Sequence, residues 1–213
     1  MARGRPPAHT RDRVIDAAIV VADTEGLAAV TIRRIATSIG AGAMSLYTYV
    51  PDKDRLVDLM VDRVAGATSW PAGTGEWRAD LLALLGAQRA LMLRHPWLPS
   101  ALPNRRLTGT NMLAYLERGL AALAPTNLAG PAKLEILALL TGFVASYVTN
   151  ELAQAQGGVT TQEQVELLTA AVTSGSFPHL AAVLAESAGE PAPAADFESI
   201  AVRMIGGLVG NAE

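Results

Sequence analysis

The sequence predicts an all-α protein, and three observations carry that prediction. Alanine and leucine are abundant in the 213-residue chain while aromatic residues make up 5%, a composition that favours helix over strand. Apolar residues recur at helical spacing wherever a period can be read, as in Val14, Ala17, Ala18, Val21 and Ala22, which keep the i, i+3, i+4, i+7, i+8 order of one helix face. Proline and glycine clusters cut the chain into helix-length pieces, and no run between them reads as a strand.

The first of these pieces closes at Gly26, a residue free to adopt a left-handed cap. Thr31 then offers an N-cap hydroxyl to a short helix whose inner face is Ile32, Ile35, Ala36 and Ile39. Gly40-Ala41-Gly42 breaks it, and a third segment, Ala43 to Val50, stops at Pro51, whose ring disfavours helix in the residue before it. Asp52 caps a fourth helix with Leu56, Leu59, Met60 and Val64 inward. Trp70-Pro71-Ala72-Gly73-Thr74-Gly75 is the expected boundary, which separates a basic arm (1–10) and a compact unit (11–64) from a second domain (70–213).

Beyond the boundary, Glu76–His95 reads as a helix stopped by Pro96 and Pro99, and Arg105–Leu123 as another ended by Pro125. Gly130-Pro131 opens a long helix that runs to Ala155, with proline at a first helical position. Gly157-Gly158 ends it, and Thr160 with Glu163 forms a capping box for a helix reaching Thr173. His179–Ser187 is a short helix, Pro191-Ala192-Pro193 a loop, and Phe197–Val209 the last helix. No internal repeat is found.

Composition excludes several classes. Half the residues are hydrophobic and 17% are charged, which is not a disordered, collagenous or disulfide-stapled chain. The absence of cysteine removes Cys-ligated zinc, thiolate catalysis and iron–sulfur clusters. His9, His95 and His179 stand far apart with no metal-site spacing. Gly40, Gly42 and position 45 mimic a dinucleotide fingerprint, but position 45 is Ser45 and no strand precedes it. Glu163 and Glu166 fall on a solvated helix face, and no nucleophile elbow or phosphate loop occurs. The expectation is a protein with no catalytic residues, no cofactor and no metal.

The net charge of −3 conceals an asymmetry: residues 1–13 sum to +3, while residues 64–213 hold 8 basic and 12 acidic residues, a sum of −4. Such a basic end suits a polyanion. The first ten residues lack the apolar stretch of a signal peptide. Leu134–Val148, the most apolar segment, is 15 residues long and holds Glu135, short of the ~20 apolar residues of a bilayer span. A cytoplasmic protein with no membrane partner is expected.

Thr31–Tyr49 carries the most information. Two short helices joined by a tight glycine turn are helix-turn-helix geometry, which lays the second helix in the DNA major groove. Gly42, Ala43, Met44, Ser45, Tyr47, Thr48 and Tyr49 supply small residues for close approach and side chains that reach bases or phosphates. The hydroxyls of Tyr47 and Tyr49 can donate to phosphate oxygens, and Lys53 adds a charge beside free helix N–H groups. The same spacing also fits a plain helical hairpin with Leu46 and Tyr47 in its core.

The run TIRRIATSIGAGAMSLYTYVPDKDRL, Thr31 to Leu56, with the upstream RVIDAA…TEGLAAVT, resembles the DNA-binding signature of the tetracycline-repressor (TetR) family. The likeness is close over residues 10–63 and looser in the later helices. It implies an all-α homodimer with an N-terminal helix-turn-helix DNA-binding domain and a helical ligand-binding and dimerisation domain, binding a palindromic operator and released by a small molecule. By position it gives Thr31 and Arg33 phosphate contacts and a base in reach, Ala43, Met44, Ser45 and Tyr47 the major groove, and Thr48, Tyr49 and Lys53 the phosphates. Tyr49 stands where the family often has histidine. Ala43 and Met44 offer only apolar contact, chiefly to thymine methyls. Arg3-Gly4-Arg5-Pro6 resembles the core of an AT-hook, whose arginines enter narrow A·T-rich minor grooves.

An effector pocket is expected where apolar side chains exceed the needs of a core. Met92, His95, Trp97, Met112, Tyr115, Phe143 and Tyr147, with polar help from Thr141 and Asn150, are the expected lining of a site for a largely apolar small molecule. The helix 131–155 is apolar nearly all round, so a second surface should cover part of it. Helix 197–209, with Ile200, Met204, Ile205 and Leu208, is the natural companion in a homodimer seam. The rival reading is an all-α carrier or enzyme whose N-terminal bundle is only structural.

Overall fold

The computed structural model describes residues 10–102, 109–155, 162–187 and 196–210, the side chains at 163 and 164 apart. The expected arm with Arg3 and Arg5, as well as His9, Gly157-Gly158, Thr160 and Pro191-Ala192-Pro193, lies outside them. The described residues form α-helices and one 3-10 turn, with no strand among them. The all-α expectation is met.

Helix α1 (Arg11–Glu25) starts on Thr10, whose hydroxyl accepts from Arg13 N, and ends at Gly26 with φ of 83°. A 3-10 turn over Leu27–Ala29 leads to α2 (Ile32–Ile39), capped by the Thr31 hydroxyl accepting from Arg34 N and closed by left-handed Gly40. Helix α3 covers Ala43–Leu46, shorter than the expected Ala43–Val50; hydrogen bonds from Tyr49 N and Val50 N to Leu46 O carry the chain round to Pro51. Asp52 caps α4 (Lys53–Gly66) through Arg55 N.

Helix α5 (Trp77–Arg94) follows the Trp70–Gly75 connection. Pro96 and Pro99 do not simply stop the chain: Pro96 precedes a short α6 (Leu98–Ala101) and Pro99 sits in its first turn, where no missing N–H matters. Helix α7 (Thr110–Ala122) begins behind extended Gly109, and the expected start at Arg105 lies outside the described residues. Helices α8 (Gly130–Ala155), α9 (Gln162–Thr173), α10 (Pro178–Ser187) and α11 (Phe197–Val209) complete the described order.

One apolar core runs through the molecule. Val14, Ile35, Leu46, Leu56 and Met60 from α1–α4 belong to the same buried cluster as Leu81, Met92, Leu140 and Val148. Helix α4 packs on α7, and α5 packs on α8, α11 and α7. The 26 residues of α8 would suffice in length and apolarity to cross a membrane, but Ile136, Leu137, Leu140, Val144 and Val148 turn one face into this core. Its other face leaves Leu134 and Leu139 exposed, and α11, which packs on α8, leaves Val202 exposed.

Candidate nucleic-acid interface and ligand cavity

The turn between α2 and α3 sorts its side chains cleanly. Leu46 and Val50 are fully buried, anchoring α3 to the bundle, while Met44 is 81% and Tyr47 50% exposed. The hairpin alternative placed Tyr47 in the core; the structure puts only Leu46 there. Ser45 and Thr48 are exposed, Ala43 and Tyr49 half-buried. Gly42 has an ordinary φ of −76°, and a Cβ there would meet nothing within 4 Å, so the fold itself does not require glycine at this point.

Several of these groups already serve the protein. Thr31 Oγ1 accepts from Arg34 N at 3.1 Å, leaving its hydroxyl proton free to donate. Ser45 Oγ donates to Gly42 O at 2.6 Å, so it faces outward as an acceptor. Lys53 Nζ donates to Leu27 O at 3.2 Å, which ties the start of α4 to the turn after α1 and leaves two ammonium protons. Arg34 is held by Glu25, with Nε donating at 3.0 Å to Oε2; that hydrogen bond keeps the Glu25 carboxyl below its usual range. Arg33 is exposed, and among the described residues no ion pair engages it. Thus Arg34 braces the bundle and Arg33 points its charge to solvent.

Between α4, α5, α6 and α7 lies a cavity of about 30 Å³. Met92, Met112 and Tyr115 line it as expected, joined by Trp70, Gln88 and Leu102. Trp70 reaches in from the connection, its Nε1 donating to Ala65 O at 3.0 Å, and its ring lies 4.9 Å from that of Tyr115. Thr141 stands behind, its Oγ1 3.3 Å from both Gln88 Nε2 and the Tyr115 hydroxyl. Burial pushes the Tyr115 phenol up, so it stays protonated. Among the described residues, no charged side chain lines the cavity.

Two open grooves are larger, of about 270 and 480 Å³, but they are walled by Asp80 and Arg118, and by Arg11, Asp12, Asp62 and Arg63 respectively.

Five residues expected in the cavity are elsewhere. His95 Nδ1 lies 2.9 Å from Asp23 Oδ1, and Trp97 Nε1 donates to the same oxygen at 2.7 Å. They bind α1 to the α5–α6 corner. Phe143 and Tyr147 lie one helix face away from Thr141 and pack with Phe197 of α11, at ring distances of 5.7 and 5.2 Å. Arg89 sits over Phe197 and pairs with Glu151, Nε to Oε2 at 3.0 Å. Asn150 is exposed. These five stand outside the lining of this cavity, His95 and Trp97 at the α5–α6 corner and the other three on α8.

The sequence reading missed two features. Gln88 is 5% exposed on the stripe Leu81, Leu84, Leu85, Leu91 and Met92; a polar residue at a core position was the available signal. Asp62 of α4 caps α7: its Oδ1 accepts from Asn111 N at 2.9 Å and Met112 N at 3.0 Å, while Asn111 Nδ2 donates to Asp62 O at 3.0 Å. The acid also faces the positive end of the α7 dipole. The approach is so close that a Cβ on Gly109 would meet Asp62 Oδ1 at 1.9 Å.

A buried-anchor, exposed-reader helix after a tight turn, followed by a helical unit with an internal cavity, defines a helix-turn-helix regulator of transcription. The family profile described as bacterial regulatory proteins, tetR family, matches residues 14–60, and that of the tetracyclin repressor-like C-terminal domain matches residues 71–210. The chain is 36% identical over 197 residues to the HTH-type transcriptional repressor DrrR1 of Streptomyces coeruleorubidus, spanning 88% of this chain and 73% of that one. Apo ActR from Streptomyces coelicolor superposes with a TM-score of 0.78 at 25% identity, covering 97% of this chain and 99% of ActR. ActR in complex with actinorhodin gives 0.77 at 27% identity, with the same coverage. The chain belongs to the TetR family of bacterial regulatory proteins, with the family's DNA-binding and C-terminal domains both present.

Proposed function

We propose that residues 11–64 read a palindromic operator, that residues 70–213 sense a neutral, largely apolar effector in the α4–α7 cavity, and that effector binding releases the DNA. The observation that carries the reading is α3, fixed by Leu46 and Val50 with Met44, Ser45, Tyr47 and Thr48 outward. Met44 and Ala43 touch thymine methyls in the major groove. Thr31, Arg33, Tyr47, Thr48, Tyr49 and Lys53 hold phosphates, and Gly42 lets the backbone approach. Arg3 and Arg5 add minor-groove contacts.

Two copies join through α8 and α11, whose outer faces carry Leu134, Leu139 and Val202. That spaces the two α3 helices for major grooves about 34–36 Å apart. The protein acts by binding rather than by catalysis, and with DNA as its partner it works in the cytoplasm.

Transmission runs through Met112. Its side chain lines the cavity while its N–H is bound by Asp62 of α4. An effector that displaces Met112 loosens that cap and lets α4 and the reading helices shift, a change of population between two arrangements.

The test is a titration of the protein against the DNA upstream of its own gene at increasing salt. With about eight phosphates neutralised, log affinity should fall against log salt with a slope of roughly −7, at a site bound well above random DNA. A flat slope, or no preferred site, refutes the reading. Light scattering after size exclusion should give a dimer at micromolar concentration; a monomer removes the palindrome argument.

A further inference from the structure

We infer that Gln88 selects the effector: the cavity takes a neutral, ring-bearing molecule carrying a hydrogen-bond donor, such as a phenolic hydroxyl, that meets Gln88 Oε1. The inference rests on the reading of this cavity as the effector site.

Gln88 interrupts an otherwise apolar stripe on α5. Its Nε2 is engaged by Thr141 Oγ1 at 3.3 Å, and Thr141 is shared with the Tyr115 hydroxyl. Among the described residues, Gln88 Oε1 is the one buried side-chain polar atom with no hydrogen-bond partner. Buried acceptors are rarely left so, because the lost hydration is not repaid. A leucine would fill the position without that cost. The open atom is therefore explained by a partner that arrives, and since it is an acceptor, the partner must bring the donor.

The rest of the wall fixes the class. Among the described residues it holds no charge, so an ionic ligand would be stripped of water with none of them to pair it. Trp70 and Tyr115, tilted 51° with centroids 4.9 Å apart, offer ring faces and edges to a planar ligand. Met92 and Met112 are the flexible part of the lining; thioether chains change rotamer readily, so a cavity of about 30 Å³ widens around a ring. A site built around a hydrogen bond rejects the analogue that lacks the group.

The test uses a matched pair, 2-naphthol and 2-methoxynaphthalene, titrated calorimetrically into the full chain. The wild type should bind the naphthol at least tenfold more tightly than the ether. In Gln88→Leu the two should bind alike, the ether no worse than before, and the variant should melt no lower than the wild type. Met92→Trp, which fills the cavity, should abolish both, with the far-ultraviolet circular dichroism and cooperative melting of each variant as the check on folding. Equal binding of the pair by the wild type, or a preference that survives Gln88→Leu, overturns the donor inference; if Met92→Trp still blocks both, the cavity reading stands. Binding that ignores Met92→Trp, or no binding of either probe, overturns both readings.

Discussion

Removing the Asp62 carboxylate tests whether the reading head and the sensor are joined where the structure joins them. In Asp62→Ala, the N–H groups of Asn111 and Met112 lose an acceptor at 2.9 and 3.0 Å, and Asn111 Nδ2 loses its bond to Oδ2 at 3.1 Å. An N-cap is worth ~1 kcal/mol, and hydrogen bonds to a charged group are worth ~1.5–3 kcal/mol each when buried. Asp62 is half-buried, so the combined loss should be ~2 kcal/mol. For a chain of this size that lowers Tm by ~4–8 °C. Asp62→Asn keeps one acceptor oxygen and should fall between. Amide exchange at Asn111 and Met112 should quicken in both, and added operator DNA should no longer slow it, as it does in the wild type. If Asp62→Ala melts at the wild-type temperature and operator still protects those two amides, α7 is held by something other than Asp62 and the proposed route of transmission is wrong.

Lys53→Ala should weaken binding to operator and random DNA alike, by about tenfold, and make the salt slope shallower by ~0.9 for each phosphate no longer neutralised; quantitative gel shifts at several salt concentrations would show it. Met44→Ala should leave stability unchanged, since the side chain is 81% exposed, yet remove a preference of ~1 kcal/mol at one base pair, read by a panel of operator variants. Thr74 and Gly75 donate to Asp80 and hold its carboxyl below the usual value. Because the folded value is the lower one, the support Asp80 gives the connection is complete above the ordinary carboxylate range and is lost as pH falls below it. Amide exchange at Thr74 and Gly75 should therefore rise under acid, and Asp80→Asn should show that rise already at neutral pH.

What the sequence made legible follows from how locally each feature is encoded. The caps at Thr31, Asp52 and Gly26 lie within three or four residues of the groups they satisfy, so α1, α2 and α4 could be bounded from a short window. The start of α7 could not, because its cap is Asp62, 49 residues from Asn111. The same holds for His95 and Trp97, whose partner Asp23 is more than 70 residues away. The cavity residues were half legible. Met92, Met112 and Tyr115 sit on inward faces of α5 and α7, where helical period is decisive. On α8 apolar residues occur all round, so period could not tell that Phe143 and Tyr147 turn to α11 while Thr141 turns to Gln88 and Tyr115. Gln88 escaped because a surplus of aromatic and methionine side chains marks a pocket's walls but not the polar atom that orients its ligand.

If the cavity governs the DNA-facing end as proposed, the polar joints supply the means. The apolar core is continuous across α4 and α7, and apolar contact alone tolerates small sliding with little change in energy. A hydrogen bond does not: stretched from 3.0 Å by ~0.5 Å it is largely gone. Asp62 thus turns a displacement of Met112 smaller than a methyl group into a bond made or broken. Helix α4 then multiplies it. Asp62 lies nine residues along α4 from Lys53, ~14 Å at 1.5 Å per residue, so a tilt of ~10° about Asp62 carries Lys53 by ~2 Å. Phosphate contacts hold only over a range of ~0.5 Å, and Lys53 Nζ is itself bound to Leu27 O, so the turn between α1 and α2 moves with it. On the proposed route, effector and operator compete for one position of α4, and each should weaken the other by the same factor.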